Sequence, residues 1–257
     1  MMLSLTHSLA GFLVGLLVGI TGVGGGSLMT PLLILLFGIH PSTAVGSDLL
    51  FAATTKAVGT GVHGFRGSVD WRVVRRLAAG SVPMTALTIV FCAAFGVTHQ
   101  GSPLLQEALG AVLVLTAGCV IFQSQVRRLL TASIGEVSEE RRILLTVLLG
   151  AILGVAVTLT SVGAGAIGVT VLLVLYPALP PVRLVGSDIA HAVPLTLLAG
   201  AGHWWLGDVN FGLVGLLLLG SIPGIIIGSL WSNWMPDRAL RFVLAAVLFV
   251  VGLRLLA

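Results

Sequence analysis

The stretch TAVGSDLLFAATTKAVGTGVHGFRG, residues 43–67, has an echo in RLVGSDIAHAVPLTLLAGAGHWWLG, residues 183–207. Each contains Val-Gly-Ser-Asp, and each places a histidine fifteen residues after the aspartate. The register extends well beyond these two strings. Pro41, Val45, Gly46, Ser47, Asp48, His63, Gly67, Val69, Gly80, Ser81 and Pro83 each find an identical residue 140 positions on, with no gap across the span. Matches of Leu or Val arise easily in apolar sequence, whereas Asp, His and Pro in common register do not. The chain therefore reads as two copies of one unit, and this duplication decides the fold.

Composition supplies the setting for that unit. Of 257 residues, 57% are hydrophobic and 9% are charged, and the mean hydropathy is +1.13. A soluble domain carries about a quarter charged residues. Apolar runs near the roughly 20 residues that span a bilayer core follow one another along the chain. They are continuously apolar, without the alternation of a membrane barrel strand. These features predict an all-α, polytopic membrane protein. The isoelectric point near 10.0 does not point to nucleic acid, because the Lys and Arg residues lie mostly at segment ends, where they orient helices. Cys92 and Cys119 stand alone in apolar runs, so neither a disulfide framework nor a metal site is expected. No cofactor is implied.

Five apolar segments are expected in each copy, at 8–21, 26–39, 43–64, 73–97 and 104–124, then at 143–159, 165–176, 184–204, 211–231 and 239–256. The copies occupy 1–130 and 143–257, with a linker at 131–142. The first two segments of each copy are short and separated by glycine-rich breaks, TGVGGGS at 21–27 and SVGAGAIG at 161–168. At about 1.5 Å per residue such segments barely cross a core of ~30 Å. A re-entrant or broken pair is the expectation. Arg66, Arg72, Arg75 and Arg76 follow the third segment of copy one, while the equivalent stretch of copy two has no basic residue. Arg183 and Arg238 reverse the asymmetry. By the positive-inside rule, equivalent loops fall on opposite sides of the membrane, and the two copies are expected to be inverted.

In inverted-repeat transporters the substrate lies near the midplane, where broken helices of the two halves meet. Backbone N–H groups freed at a helix N-terminus attract anions. Thr21, Gly24, Gly25, Gly26 and Ser27, with Ser161, Gly163 and Gly165, are thus candidate substrate contacts for a small oxyanion. Ser47 and Ser187 join them from the repeated motif. Lys56, the sole lysine, lies mid-segment and could supply positive charge. Asp48 and Asp188 are costly within a membrane and are candidates for proton coupling or for holding loose backbone N–H groups. His63 and His203 are candidate gates or relays near opposite faces. His191, three residues after Asp188, is placed to bond that carboxylate. Trp71, Trp204, Trp205, Trp231 and Trp234 stand at segment ends as interface anchors. Gly11, Gly15 and Gly19, four residues apart, suit close helix packing.

The glycine breaks, the two Val-Gly-Ser-Asp motifs, the following histidines and the Gly-Ser-x-Pro of 80–83 and 220–223 together resemble the sulfite exporter TauE/SafE family. The resemblance covers essentially the whole chain. It implies a bacterial or archaeal plasma-membrane transporter of sulfite, sulfoacetate or related sulfur-containing anions, with protons as a further candidate partner. Two other classes stay open at this point. One is an anion channel. The other is an intramembrane aspartyl protease using Asp48 and Asp188, although Ser47 and Ser187 occupy the position where that class has glycine.

Overall fold

The computed structural model of the chain describes residues 2–21, 26–65, 67–96, 103–123, 125, 138–230 and 237–256. Within these, the side chains of 20–21, 26–27 and 62–65, among others, lie outside the description. The described helices of the first copy are α1 (Met2–Thr21), α2 (Gly26–Phe37), α3 (Pro41–Phe65), α4 (Trp71–Phe95) and α5 (Pro103–Ile121). Those of the second are α6 (Glu139–Thr160), α7 (Ala166–Leu175), α8 (Pro181–Trp205), α9 (Phe211–Leu230) and α10 (Asp237–Leu256). Every apolar segment of the sequence has become a helix. The architecture is all-α among the described residues, and α4, α6, α8 and 211–228 of α9 are long and apolar enough to cross a membrane.

One expectation is corrected. The first segment of each copy is not short: α1 has 20 residues and α6 has 22. Polar residues continue each helix past its apolar stretch, as where Ser138 caps α6 by accepting from the Arg141 N–H and Glu139 and Glu140 occupy its first turn. Acidic residues favour a helix N-terminus because they meet the positive end of its dipole. The second segments are the short ones, with 12 residues in α2 and 10 in α7, about 18 Å and 15 Å of rise. Each doubles back along its predecessor. The His7 ring of α1 stacks on Phe37 at the end of α2, centroids 4.2 Å apart. Likewise the Tyr176 hydroxyl, just past α7, lies 2.9 Å from Thr146 Oγ1 near the start of α6.

Glycine sets how the helices meet. A Cβ at Gly11 or Gly15 of α1 would strike the backbone of Leu217 or Ser221 on α9, and one at Gly220 or Gly224 would strike Ser8 or Phe12 in return. The same contacts recur between α4 and α6, where Gly150 and Gly154 abut Leu77 and Ser81, and Gly80 abuts Val147. Both pairs run parallel, with backbones touching as small residues allow in membranes. At the centre α3 and α8 run antiparallel, Gly46 meeting His203 and Gly200 meeting Leu50. Helices α5 and α10 are antiparallel too, through Gly110 and Gly252. Each helix of the first copy thus touches partners whose counterparts touch its own counterpart in the second.

The outside of the bundle is apolar. Leu5, Leu9 and Leu13 form an exposed stripe on α1, Leu87, Phe91 and Phe95 one on α4, and Leu144, Leu148 and Ile152 one on α6. In water such ridges would be a liability, and against lipid they are the natural surface. Trp71, Trp204 and Trp205 stand exposed at helix ends, as expected of interface residues; Trp231 and Trp234 lie outside the described residues. One end of the molecule gathers basic groups. Arg76 and Arg142 both pair with Glu139, and Arg76 Nη1 donates to the Tyr176 hydroxyl at 3.1 Å.

A glycine-to-alanine change raises helix propensity by about 1 kcal/mol, whereas an overpacked contact costs about 1–3 kcal/mol. Gly11→Ala and Gly150→Ala should therefore each lower the Tm of the detergent-purified protein. Gly118→Ala, where a Cβ meets nothing within 4 Å, should leave it unchanged or raise it. Equal Tm for all three variants would remove backbone contact as the reason for these glycines.

A charged centre at the broken helices

Helices α3 and α8 carry the repeated aspartates to the middle of the bundle, where Asp48 is 0% and Asp188 1% exposed. Each carboxylate reaches the short helix of its own copy. Asp48 Oδ2 accepts from the backbone N–H of Thr30, at 3.1 Å, and from its hydroxyl, at 2.6 Å. Asp188 stands beside the backbone N–H of Gly165, the residue that precedes α7. Its Oδ1 lies against the α-carbon of Gly168, where any side chain would collide with it. A half-helix that begins inside a membrane leaves N–H groups without water, and a buried carboxylate satisfies them while meeting the positive end of the helix dipole. The arrangement alters the sequence-based picture of α7. The protein's own Asp188 stands beside its first residues.

The break between α6 and α7 is a sharp one. Ser161, Gly163 and Gly165 have φ of 58°, 117° and 105°, values that glycine adopts freely and serine rarely does. Thr160 holds the turn by accepting from the Val162 N–H at 3.1 Å while its hydroxyl donates to the Ala156 carbonyl at 2.6 Å. Ser161 sits at the end of α6 with its hydroxyl directed to Asp48 of the other copy, yet its Oγ closes no hydrogen bond. Of the other break, Gly24 and Gly25 lie outside the described residues, and Thr21, Gly26 and Ser27 are described as helix backbone only.

Lys56 of α3 is 3% exposed. It is close enough to both carboxylates for direct Coulombic attraction, Asp188 more than Asp48, and it forms no ion pair with either within 4 Å among the described residues. His191 also feels the lysine. The sequence suggested that His191 would bond Asp188 along its helix; it does not. Its Nε2 instead meets Ser81 Oγ of α4 at 2.8 Å, because the ring points across the helix interface. Thr55 Oγ1 lies 2.8 Å from Ser221 Oγ of α9. The serines of the two Gly-Ser-x-Pro motifs thus flank the centre from either side.

Four buried polar atoms here lack a hydrogen-bond partner: Oδ1 of Asp48, Oδ1 of Asp188, Nδ1 of His191 and Oγ of Ser161. Native interiors rarely leave such groups unsatisfied, and their gathering on the helices that carry Lys56 and the two aspartates makes this centre the candidate site.

Other sequence candidates lie elsewhere. Ser47 Oγ accepts from the Asn210 N–H at 3.0 Å, and Ser187 Oγ from the Asp70 N–H at 2.8 Å. These two bonds are equivalent in the repeat, and each ties a central helix to the loop before a helix of the opposite copy. His203 stands at the far end of α8 from Pro181, and the side chain of His63 is outside the description. Sequence reasoning missed Thr30, Thr55 and Asp208 as partners. It recognised Ser81 and Ser221 only as part of a motif.

The family model described as sulfite exporter TauE/SafE matches residues 8–255. The chain is 39% identical over 256 residues to the probable membrane transporter protein YjnA of Bacillus subtilis, covering 99% of this chain and 100% of that protein. It is 27% identical to the probable membrane transporter protein YdhB of the same organism, over 95% and 97% of the two chains. The probable membrane transporter protein MJ0441 of Methanocaldococcus jannaschii is 24% identical over 96% and 93%. No solved structure matches.

Gly168→Ala should push Asp188 away from the start of α7. We expect a lower Tm, together with faster amide exchange at 165–169 than in the parent. Exchange at 26–30 should stay unchanged, because Asp48 holds that helix separately. A uniform change in both regions would show that the carboxylate does not hold α7 locally.

Proposed function

Because the chain belongs to the sulfite exporter TauE/SafE family of membrane transport proteins, we propose that it is a secondary transporter of small sulfur-containing anions. The substrate is sulfite or an organosulfonate such as sulfoacetate, and it binds between two inverted repeats at the glycine-broken helices. The antiparallel pairing of α3 with its counterpart α8, and of α5 with α10, supports inversion. Gathering of Arg76, Glu139 and Arg142 at one end supports a single cytoplasmic face for the arginine-rich loop and the linker. The plasma membrane is the location proposed.

The observation that carries the reading is a buried lysine within Coulombic reach of two buried carboxylates, with unpartnered polar atoms on the same helices and the adjoining break. A charge count gives the mechanism. Two carboxylates contribute −2, Lys56 contributes +1, and two helix N-termini contribute roughly +0.5 each. The sum is close to zero, so an incoming anion adds an uncompensated charge to a low-dielectric centre, which is costly. A proton on Asp48 or Asp188 removes that charge. The protonated Oδ1 then becomes a donor to the oxyanion, alongside Ser161 and the ammonium of Lys56. Anion and proton move together in this scheme, and an empty site returns with Lys56 neutralising the carboxylates.

Flux of sulfite and of short sulfonates into proteoliposomes, with and without an imposed pH gradient, tests the scheme. Lys56→Gln should lose at least about tenfold in anion binding, the scale of one charge-assisted hydrogen bond. Asp188→Asn keeps an acceptor oxygen beside Gly165 and should still transport, but without response to the pH gradient. Asp188→Ala should be worse than Asn. Asp48→Asn should be the more damaging of the two amides, because Oδ2 of Asp48 accepts two bonds from Thr30. Flux that follows the anion gradient alone and does not saturate would indicate a channel instead.

A further inference from the structure

His203, in the last turn of α8, is 0% exposed, and Asp208, just beyond that helix, is 7% exposed. The histidine Nε2 lies 2.8 Å from the carbonyl oxygen of Thr158 near the end of α6. A carbonyl only accepts, so Nε2 carries the hydrogen and donates it. In a neutral ring that leaves Nδ1 with a lone pair. Nδ1 faces Asp208 Oδ2 at 3.5 Å, and both atoms are buried without any other partner. Two lone pairs pointed at each other in a dry interior repel, and the contact becomes favourable only when a second proton occupies the gap. Among the described residues, few titratable groups face the pair. From α4 the thiol of Cys92 lies near Asp208, while α3 contributes Gly46 and Ser47 and α6 contributes the Thr158 carbonyl.

We propose that His203 and Asp208 form a proton-binding site that latches the end of α8 to α6 and α3. With the proton present, Nδ1–H donates to Asp208 while Nε2–H holds the last turn of α6, three residues before Ser161. The Asp208 segment is simultaneously fixed to α3, since the Asp208 carbonyl packs on Gly46 and the Asn210 N–H donates to Ser47. Loss of the proton sets like groups against each other and frees the turn. The device belongs to one copy only. Ser68 stands where the second copy has Asp208, so the first copy has no carboxylate at the matching place. The proton site is distinct from the central anion site and does not rest on it.

Magic-angle-spinning NMR of the full chain in lipid bilayers, with ¹⁵N-labelled histidine and His203 assigned by subtraction of His203→Gln, reads the ring directly. At pH about 7 we expect both ring nitrogens of His203 to be protonated in the wild type. In Asp208→Ser, which installs the residue of the first copy, Nε2 alone should carry hydrogen. Amide exchange at 157–161 should then rise about tenfold, because the Nε2–H bond to the Thr158 carbonyl passes from charge-assisted to neutral. A wild-type ring protonated on Nε2 alone would overturn the proton site. Unchanged exchange at 157–161 in Asp208→Ser would overturn the latch.

Discussion

A helix that starts inside a membrane exposes N–H groups to a medium that cannot bond them, and each group left so costs several kcal/mol. In this chain the two short helices, α2 and α7, each run against a buried carboxylate. Asp48 accepts from the backbone and the hydroxyl of Thr30 on α2, and Asp188 lies against Gly168 on α7. Much of the interior is arranged around that solution. Glycine and hydroxyl residues let α3 and α8 approach closely, Gly168 makes room for an oxygen, and Lys56 balances part of the charge. The carboxylates are thereby structural, and under the proposed scheme they are titratable as well. Those properties are compatible, because each uses one oxygen on its half-helix and keeps the other free.

Symmetry and its violations divide the labour. The equivalent bonds of Ser47 with Asn210 and Ser187 with Asp70, and the equivalent glycine seams of α1 with α9 and α4 with α6, build a frame in which neither half is favoured. Beyond the shared aspartates, several charged and titratable groups fall where the copies differ. Lys56 is matched by Thr196, His191 by Phe51 and Asp208 by Ser68. A symmetric frame gives two related end states of similar energy, and asymmetric charged groups then bias them by different amounts.

Much of this was legible in the sequence, for identifiable reasons. Helix number and placement followed from apolar runs of bilayer length, and the breaks from glycines that packing alone does not require. Asp48, Asp188 and Lys56 announced themselves because charge in a membrane is expensive. Lengths of α1 and α6 were underestimated because their polar ends lie beyond the apolar stretch. Partners were harder to read. Thr30, Thr55, Ser81 and Ser221 carry hydroxyls that can satisfy themselves on their own helix at little cost, so only tertiary packing reveals which ones reach across. His191 was assigned to Asp188 from spacing along one helix, whereas its ring turned toward α4. Asp208 escaped notice because the repeat places serine opposite it, and identity between copies was the guide in use.

The central claim is that an anion enters this centre only together with a proton. Isothermal calorimetry of sulfite or a short sulfonate with the purified protein, repeated in buffers of different ionisation enthalpy, counts the protons taken up on binding. The account predicts uptake of about one proton per anion beyond that of the free anion itself, abolished in the double variant Asp48→Asn, Asp188→Asn. Binding of equal affinity with no proton uptake in the wild type would contradict it.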